Sequence, residues 1–151
     1  MIKAVVFDCF GVFYVDRYGE LTGIPKDEVT QQLYGVLLVR NEALLEYAEF
    51  LRKTYKLGLL SNLGPGAMDK YFAQTERKKL FDTVVVSSEV GLVKPQPEIY
   101  ELTAERLGVA PNEVLFIDDL PINCDAARAV GMQAIVYTST DQLKKDISRI
   151  L

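Results

Sequence analysis

The chain alternates short, nearly continuous apolar runs with longer stretches of helical periodicity. The runs are IKAVVF (2–7), LGLL (57–60), TVVV (83–86), VLFI (114–117) and AIVY (134–137). Strands that are half-exposed alternate apolar and polar residues; strands covered on both faces do not, and these five read as the second kind. Between them lie amphipathic segments. Residues 42–55 put Leu44, Leu45, Ala48, Leu51 and Tyr55 on one side, with Gly58 just past the predicted end. Residues 97–107 start on Pro97 and stop before Gly108, and residues 121–130 repeat the device with Pro121 and Gly131. A last helix is predicted over 140–149. Strands alternating with helices predict a doubly wound α/β fold: a five-stranded parallel sheet with helices on both faces, in one domain spanning 1–151. The interval 14–40 is the irregular part. It is polar and turn-rich, then apolar, and longer than a single crossover helix requires, so it predicts a short cap or flap inserted after the first strand.

Three of these strands end in polar residues. The first ends at Asp8, the second at Ser61-Asn62 and the fourth at Asp118-Asp119. In an open parallel sheet the ligand crevice lies beyond the carboxyl ends of the strands, where the strand order reverses. If the first strand is central, flanked by the second and fourth, these groups converge. Clustered carboxylates repel, and a hard divalent cation such as Mg2+, which takes oxygen ligands, is a natural neutralising partner. Ser61 and Asn62 supply hydrogen bonds for an anionic substrate. Lys94, held in extended backbone by Pro95, supplies a positive charge. Each piece has a plainer reading: turns at Asp8, Ser61-Asn62 and Lys94-Pro95, and a helix cap at Asp118-Asp119. Their succession at strand ends favours a site.

Composition narrows the chemistry. The chain has no histidine, which removes Ser-His-Asp and Cys-His catalysis and His-ligated zinc. The formal net charge is −4 and the basic residues are scattered, which argues against nucleic acid. No apolar stretch reaches membrane-spanning length, and the N-terminal run, interrupted by Asp8, does not read as a signal peptide. Cys9 and Cys124 have neither disulfide nor metal spacing. The expectation is a cytoplasmic protein with reduced thiols and a small anionic substrate.

The ordered set DCFGV (8–12), LLSN (59–62), GLVKPQPEIY (91–100) and FIDDLPINCDAARAVGM (116–132) resembles the haloacid dehalogenase-like (HAD) hydrolase superfamily, in its phosphatase and phosphoglucomutase-like branch. The resemblance covers nearly the whole chain outside 14–40 and implies a Rossmann-like domain. It implies that Asp8 is the nucleophile that forms an aspartyl phosphate. It also implies that the Phe10 backbone carbonyl, Asp8, Asp118 and Asp119 form the Mg2+ site, with Asp119 orienting the metal's water. By the same resemblance Ser61 holds the transferred phosphoryl group, Lys94 steadies nucleophile and intermediate, Asn123 adds a polar contact, and residues 11–16 form the flap.

Two departures qualify this picture. Phosphatases of the family have an aspartate, the proton shuttle, where this chain has Phe10; loss of such a group commonly costs about 10²–10⁴-fold. The leading expectation is therefore a Mg2+-dependent phosphate monoester hydrolase with slow turnover. The alternatives are a catalytically silent relative that binds a phosphorylated ligand or protein, and a metal-independent hydrolase of carbon–halogen bonds. The second departure is the short interval between Asp8 and Ser61, which leaves 14–40 as a reduced cap and a more open site. The run VLLV (36–39) before Arg40 is a candidate surface for a homodimer, although packing against the core explains it as simply.

Overall fold

The structure is a computed structural model that describes residues 1–17 and 38–151. In chain order the strands are β1 (Ala4–Phe7), β2 (Tyr14–Asp16), β3 (Leu38–Arg40), β4 (Lys56–Ser61), β5 (Thr83–Val86), β6 (Val114–Asp118) and β7 (Gln133–Val136). The helices are α1 (Glu42–Leu51), α2 (Gln74–Leu80), α3 (Ser87–Val90), α4 (Pro97–Leu107), α5 (Pro121–Ala129) and α6 (Thr140–Ile150). Five strands form one parallel sheet in the order β5-β4-β1-β6-β7. The first strand is central, between β4 and β6, which meets the condition under which the polar strand ends converge. The chain builds outward from β1 on one side through β4 and β5, then crosses back to β6 and β7. The reversal point is therefore the carboxyl end of β1.

Alternation within the apolar runs explains why they look continuous. Val5 and Phe7 of β1, Leu57 and Leu59 of β4, and Leu115 and Ile117 of β6 pack on one face against Leu44, Ala48 and Leu51 of α1 and Leu143 and Ile147 of α6. Ala4, Val6, Leu60, Val114 and Phe116 point to the other face, against Ile99, Tyr100, Ala104 and Leu107 of α4 and Ala127 of α5. Both faces are covered, so neither set of positions is free to be polar. Each large side chain buried in this way contributes about 1.5–3 kcal/mol relative to exposure.

One local expectation is corrected. The helix predicted to reach residue 55 ends at Leu51, and Gly58 is not its stop signal. The end closes through Arg52, whose N–H bonds Ala48 O, and a tight turn in which the Thr54 and Tyr55 N–H groups both bond Leu51 O. Gly58 lies inside β4, where a Cβ would come within 3.1 Å of Val6 and 3.2 Å of Leu107. It is a close-packing position between sheet and α4.

The insertion after β1 begins and ends in regular structure. β2 and β3 pair antiparallel, Tyr14 opposite Arg40. Arg40 is ion-paired to Glu76, which ties the base of this hairpin to α2. Leu38, Val39 and Arg40 are half-buried. The interior of the insertion, 18–37, including Val36 and Leu37 of the proposed pairing surface, lies outside the described residues.

Candidate active site

Asp8 follows the last residue of β1, Ser61 ends β4, and Asp118 ends β6. Because these three strands are neighbours in register, their ends bring the polar residues to one point above the sheet. A cleft of about 210 Å³ opens there, lined by Asp8, Phe10, Ser61, Asn62, Lys94, Asp119, Leu120 and Asn123. A larger depression, about 640 Å³, lies between α1 and α2 around Arg52, Lys53 and Glu76. It has no buried ionisable group, so the smaller cleft is the one equipped for chemistry.

The centre of the cleft is a buried triad. Lys94 Nζ lies 2.8 Å from Asp8 Oδ1 and 2.6 Å from Asp118 Oδ2. Lys94 is 5% exposed, Asp8 7% and Asp118 0%, so the three charges depend on one another rather than on water. Lys94 Nζ also lies 5.6 Å above the Phe116 ring, a favourable cation–π placement. Burial, reinforced by the Asp118 charge, raises the Asp8 carboxyl to about 6 even though Lys94 pulls in the other direction. Lys94 is held above its usual value: its own burial opposes this, but two carboxylates outweigh it. Burial first, and the Asp118 charge second, also raise Asp119.

Hydrogen bonds fix this geometry from behind. Asp118 Oδ1 accepts from the Leu120 N–H at 2.9 Å, and Oδ2 accepts from Asn123 Nδ2 at 3.0 Å. The plain turn-forming role at Asp118 and the role in the cluster therefore coexist in one side chain. Asn123 is steadied in turn by Tyr100, whose hydroxyl donates to its backbone carbonyl at 3.0 Å. Asn62 has a task the sequence did not suggest. Its Oδ1 accepts from the Lys94 N–H at 2.8 Å, and its Nδ2 donates to the Lys94 carbonyl at 3.0 Å. This two-point clamp holds the lysine's backbone and so aims its ammonium group. Among the described residues, the buried hydroxyl of Ser61 has no hydrogen-bond partner. It is 1% exposed and stands at the cleft wall, which suits a donor awaiting an anionic ligand.

Phe10 is half-buried, and its ring meets Tyr71 edge-on at 4.7 Å between centroids. Tyr71 in turn packs against Tyr14 at 5.1 Å, and the Tyr14 hydroxyl donates to the Tyr71 carbonyl at 2.6 Å. Phe10 is thus joined to an aromatic cluster. Tyr71 carries no sequence signal for this role, because it lies far from the motifs and outside any periodic face.

Oxygen ligand atoms of Asp8, Asp118 and Asp119 all lie within 4.8 Å of one another. An all-carboxylate set of this kind suits a hard cation. Gly11 makes the arrangement possible. Its φ is +78°, and a Cβ there would lie 2.2 Å from the Asp119 carboxyl carbon. Gly11→Ala is therefore expected to displace Asp119. It should weaken Mg2+ binding in calorimetry and cost about 1–3 kcal/mol of stability from the backbone conformation and the overlap. Unchanged metal affinity would show that Asp119 does not need this position.

Comparisons with known proteins agree with the fold. The sequence model of the haloacid dehalogenase-like hydrolases matches residues 13–131, which takes in Ser61, Lys94, Asp118 and Asp119 and begins after Asp8 and Phe10. The chain is 31% identical over 109 residues to a phosphorylated carbohydrates phosphatase of Thermotoga maritima, covering 72% of this chain and 50% of that one. It is 28% identical over 143 residues to a D-ribitol-5-phosphate phosphatase of Bacteroides thetaiotaomicron, covering 89% and 69%. It is also 35% identical over 75 residues to rat bifunctional epoxide hydrolase 2, of which it spans only 14%. A solved HAD family enzyme of B. thetaiotaomicron, in complex with magnesium and inorganic phosphate, superposes with a TM-score of 0.74 at 21% identity, over 95% of this chain and 99% of that one. Architecture and family match together place the sequence: this chain belongs to the haloacid dehalogenase-like hydrolases.

Proposed function

We propose that the chain is a Mg2+-dependent hydrolase of small phosphate monoesters, acting through an aspartyl phosphate at Asp8. The observation that carries this reading is the Lys94-bridged pair of buried carboxylates, Asp8 and Asp118, with Asp119 beside them at the carboxyl ends of β1 and β6. The phosphatases among its relatives, and the magnesium and phosphate bound by a protein of the same fold, support it. Asp8, Asp118 and Asp119, with the Phe10 carbonyl, are the residues that would hold the metal. When bound there, Mg2+ offsets the carboxylate charge and that of the phosphoryl oxygens.

This chain's own residues then account for the transfer. An Asp8 oxygen attacks phosphorus in line, and the bond to the leaving oxygen breaks. The Ser61 hydroxyl donates to a phosphoryl oxygen. Lys94 holds Asp8 in place and balances its charge, and the Asn62 clamp keeps the ammonium group aimed. Water then cleaves the aspartyl phosphate and frees Asp8. Most of the acceleration comes from positioning and charge neutralisation. The antiparallel pair β2 and β3 serves as the root of a truncated cap inserted into the single domain.

The test is hydrolysis of an aryl phosphate with and without Mg2+. An aryl leaving group needs little protonation, so Phe10 should matter least there. We expect Mg2+-dependent release of the phenol that disappears in Asp8→Asn. Absence of both release and Mg2+ binding would remove this function. Phe10 favours a second reading, a binding protein without turnover, which predicts that Mg2+ and phosphate bind while no aryl phosphate is cleaved.

A further inference from the structure

The residues that face the phosphoryl group serve the first half of the reaction better than the second. In-line attack on an aspartyl phosphate brings water to the side of phosphorus opposite the Asp8 oxygen. Among the described residues, the ionisable groups of the cleft are gathered around the Asp8 carboxylate. Lys94 contacts Asp8 and Asp118 directly, and the Asp118 and Asp119 oxygens lie within 4.8 Å of the Asp8 oxygen. Asp118 is fully buried and already accepts from Lys94, Leu120 and Asn123. The other cleft residues among those described are Phe10, Ser61, Asn62, Leu120 and Asn123. None of them is a base able to take a proton from water. Phe10 does not vacate its place easily, because its ring is packed on Tyr71, which is itself tied to Tyr14.

Building on the aspartyl-phosphate reading, we infer that this site takes a phosphoryl group from donors with acidic leaving groups, acyl or aryl phosphates, and retains it as a long-lived phospho-Asp8. In the first step the Asp8 carboxylate forms a bond to phosphorus. The P–O bond to the donor breaks, and the donor leaves as a carboxylate or phenolate with the electron pair. No proton is needed. An alkoxide leaving group, as from a sugar phosphate, would need one, and among the described cleft residues Phe10 stands where such an acid would be expected. In the second step water must bond to phosphorus while the Asp8–phosphorus bond breaks and a proton leaves the water. Among the described residues the only carboxylates at the cleft are those assigned to the metal, so that proton passes to solvent and this step is the slow one. The chain would then differ from its sugar-phosphate-cleaving relatives by stopping halfway, in a charged, phosphorylated state.

The experiment incubates the full chain with Mg2+ and acetyl phosphate, then reads intact mass and the modified peptide after an acid quench. A parallel pre-steady-state trace follows phenol release from an aryl phosphate. We expect about one phosphoryl group per chain, located on Asp8 and removed by hydroxylamine, together with a burst of phenol release ahead of slow turnover. Asp8→Asn should acquire none. Phe10→Asp, checked for folding by circular dichroism, should shorten it by about 10²–10⁴-fold. Steady aryl phosphate turnover by the wild-type chain, with no burst and no phosphorylated species, would overturn the retention and leave the hydrolase function standing. If neither the wild-type chain nor Phe10→Asp is phosphorylated or releases phenol, both proposals fail.

Discussion

Replacing Lys94 with methionine is expected to destabilise the metal-free protein by about 3–5 kcal/mol, the usual cost of removing one partner from a buried ionic group. Lys94 is the cation shared by Asp8 and Asp118, at 2.8 and 2.6 Å, and all three side chains are almost fully withdrawn from water. Methionine fills similar volume, so packing changes little while the charge disappears. Two carboxylates are then left in one dry site. The distinguishing feature is what Mg2+ does. A cation bound among Asp8, Asp118 and Asp119 takes over part of the lost neutralisation, so the urea midpoint of Lys94→Met should rise more on adding Mg2+ than that of the wild-type chain. Catalysis should not return, since the metal does not replace a donor aimed at the nucleophile. A variant as stable as wild type in EDTA, or one whose midpoint ignores Mg2+, would show that the triad does not govern the stability of this site.

The same triad marks how far the sequence could be read. The strand ends were legible because a core strand buried on both faces has no reason to carry Asp8 or Asp118 except at its terminus. The parallel order then placed them side by side. Ser61 was legible for the same reason. Lys94 was read from the residues as a charge for substrate and tied to Asp8 by the family resemblance, but its simultaneous pairing with Asp118 was not visible: it comes from a loop, and only the packed structure brings that loop over β1 and β6. Asn62 shows the limit most clearly. Its side chain looked like a ligand for substrate, yet both ends of the amide bond the Lys94 backbone. No spacing rule relates residues 62 and 94. The misplaced stop at Gly58 has a similar origin. A glycine after a helical pattern suggests a cap, but close approach of Val6 and Leu107 is a tertiary demand that outranks local punctuation. Phe10 was legible as a missing acid, whereas the aromatic support that keeps it in place was not.

On the proposed mechanism Asp8→Asn should abolish turnover, by on the order of 10⁴–10⁶-fold, and at the same time make the metal-free protein more stable at pH 7. The two effects share a cause. Burial and the neighbouring Asp118 raise the Asp8 carboxyl from 3.8 to about 6 in the folded chain. A folded-state value above the unfolded one means that the native state binds the proton more tightly, so ionised Asp8 opposes folding. That penalty is fully present above about pH 6, shrinks as pH falls, and vanishes below 3.8, where the carboxyl is protonated in both states. Asparagine carries no such penalty, and it leaves Lys94 paired with Asp118 as a neutral couple. Denaturant unfolding in EDTA should therefore favour Asp8→Asn by on the order of 1–3 kcal/mol at pH 7, with the gap closing toward pH 4. Adding Mg2+ should reverse the order at pH 7. A ligand that binds the native state stabilises it by mass action, and the wild-type chain keeps the carboxylate that asparagine removes. A variant less stable than wild type in EDTA at pH 7 would mean that the Lys94 contact outweighs the burial of Asp8, and that Asp8 helps to hold the fold instead of straining it.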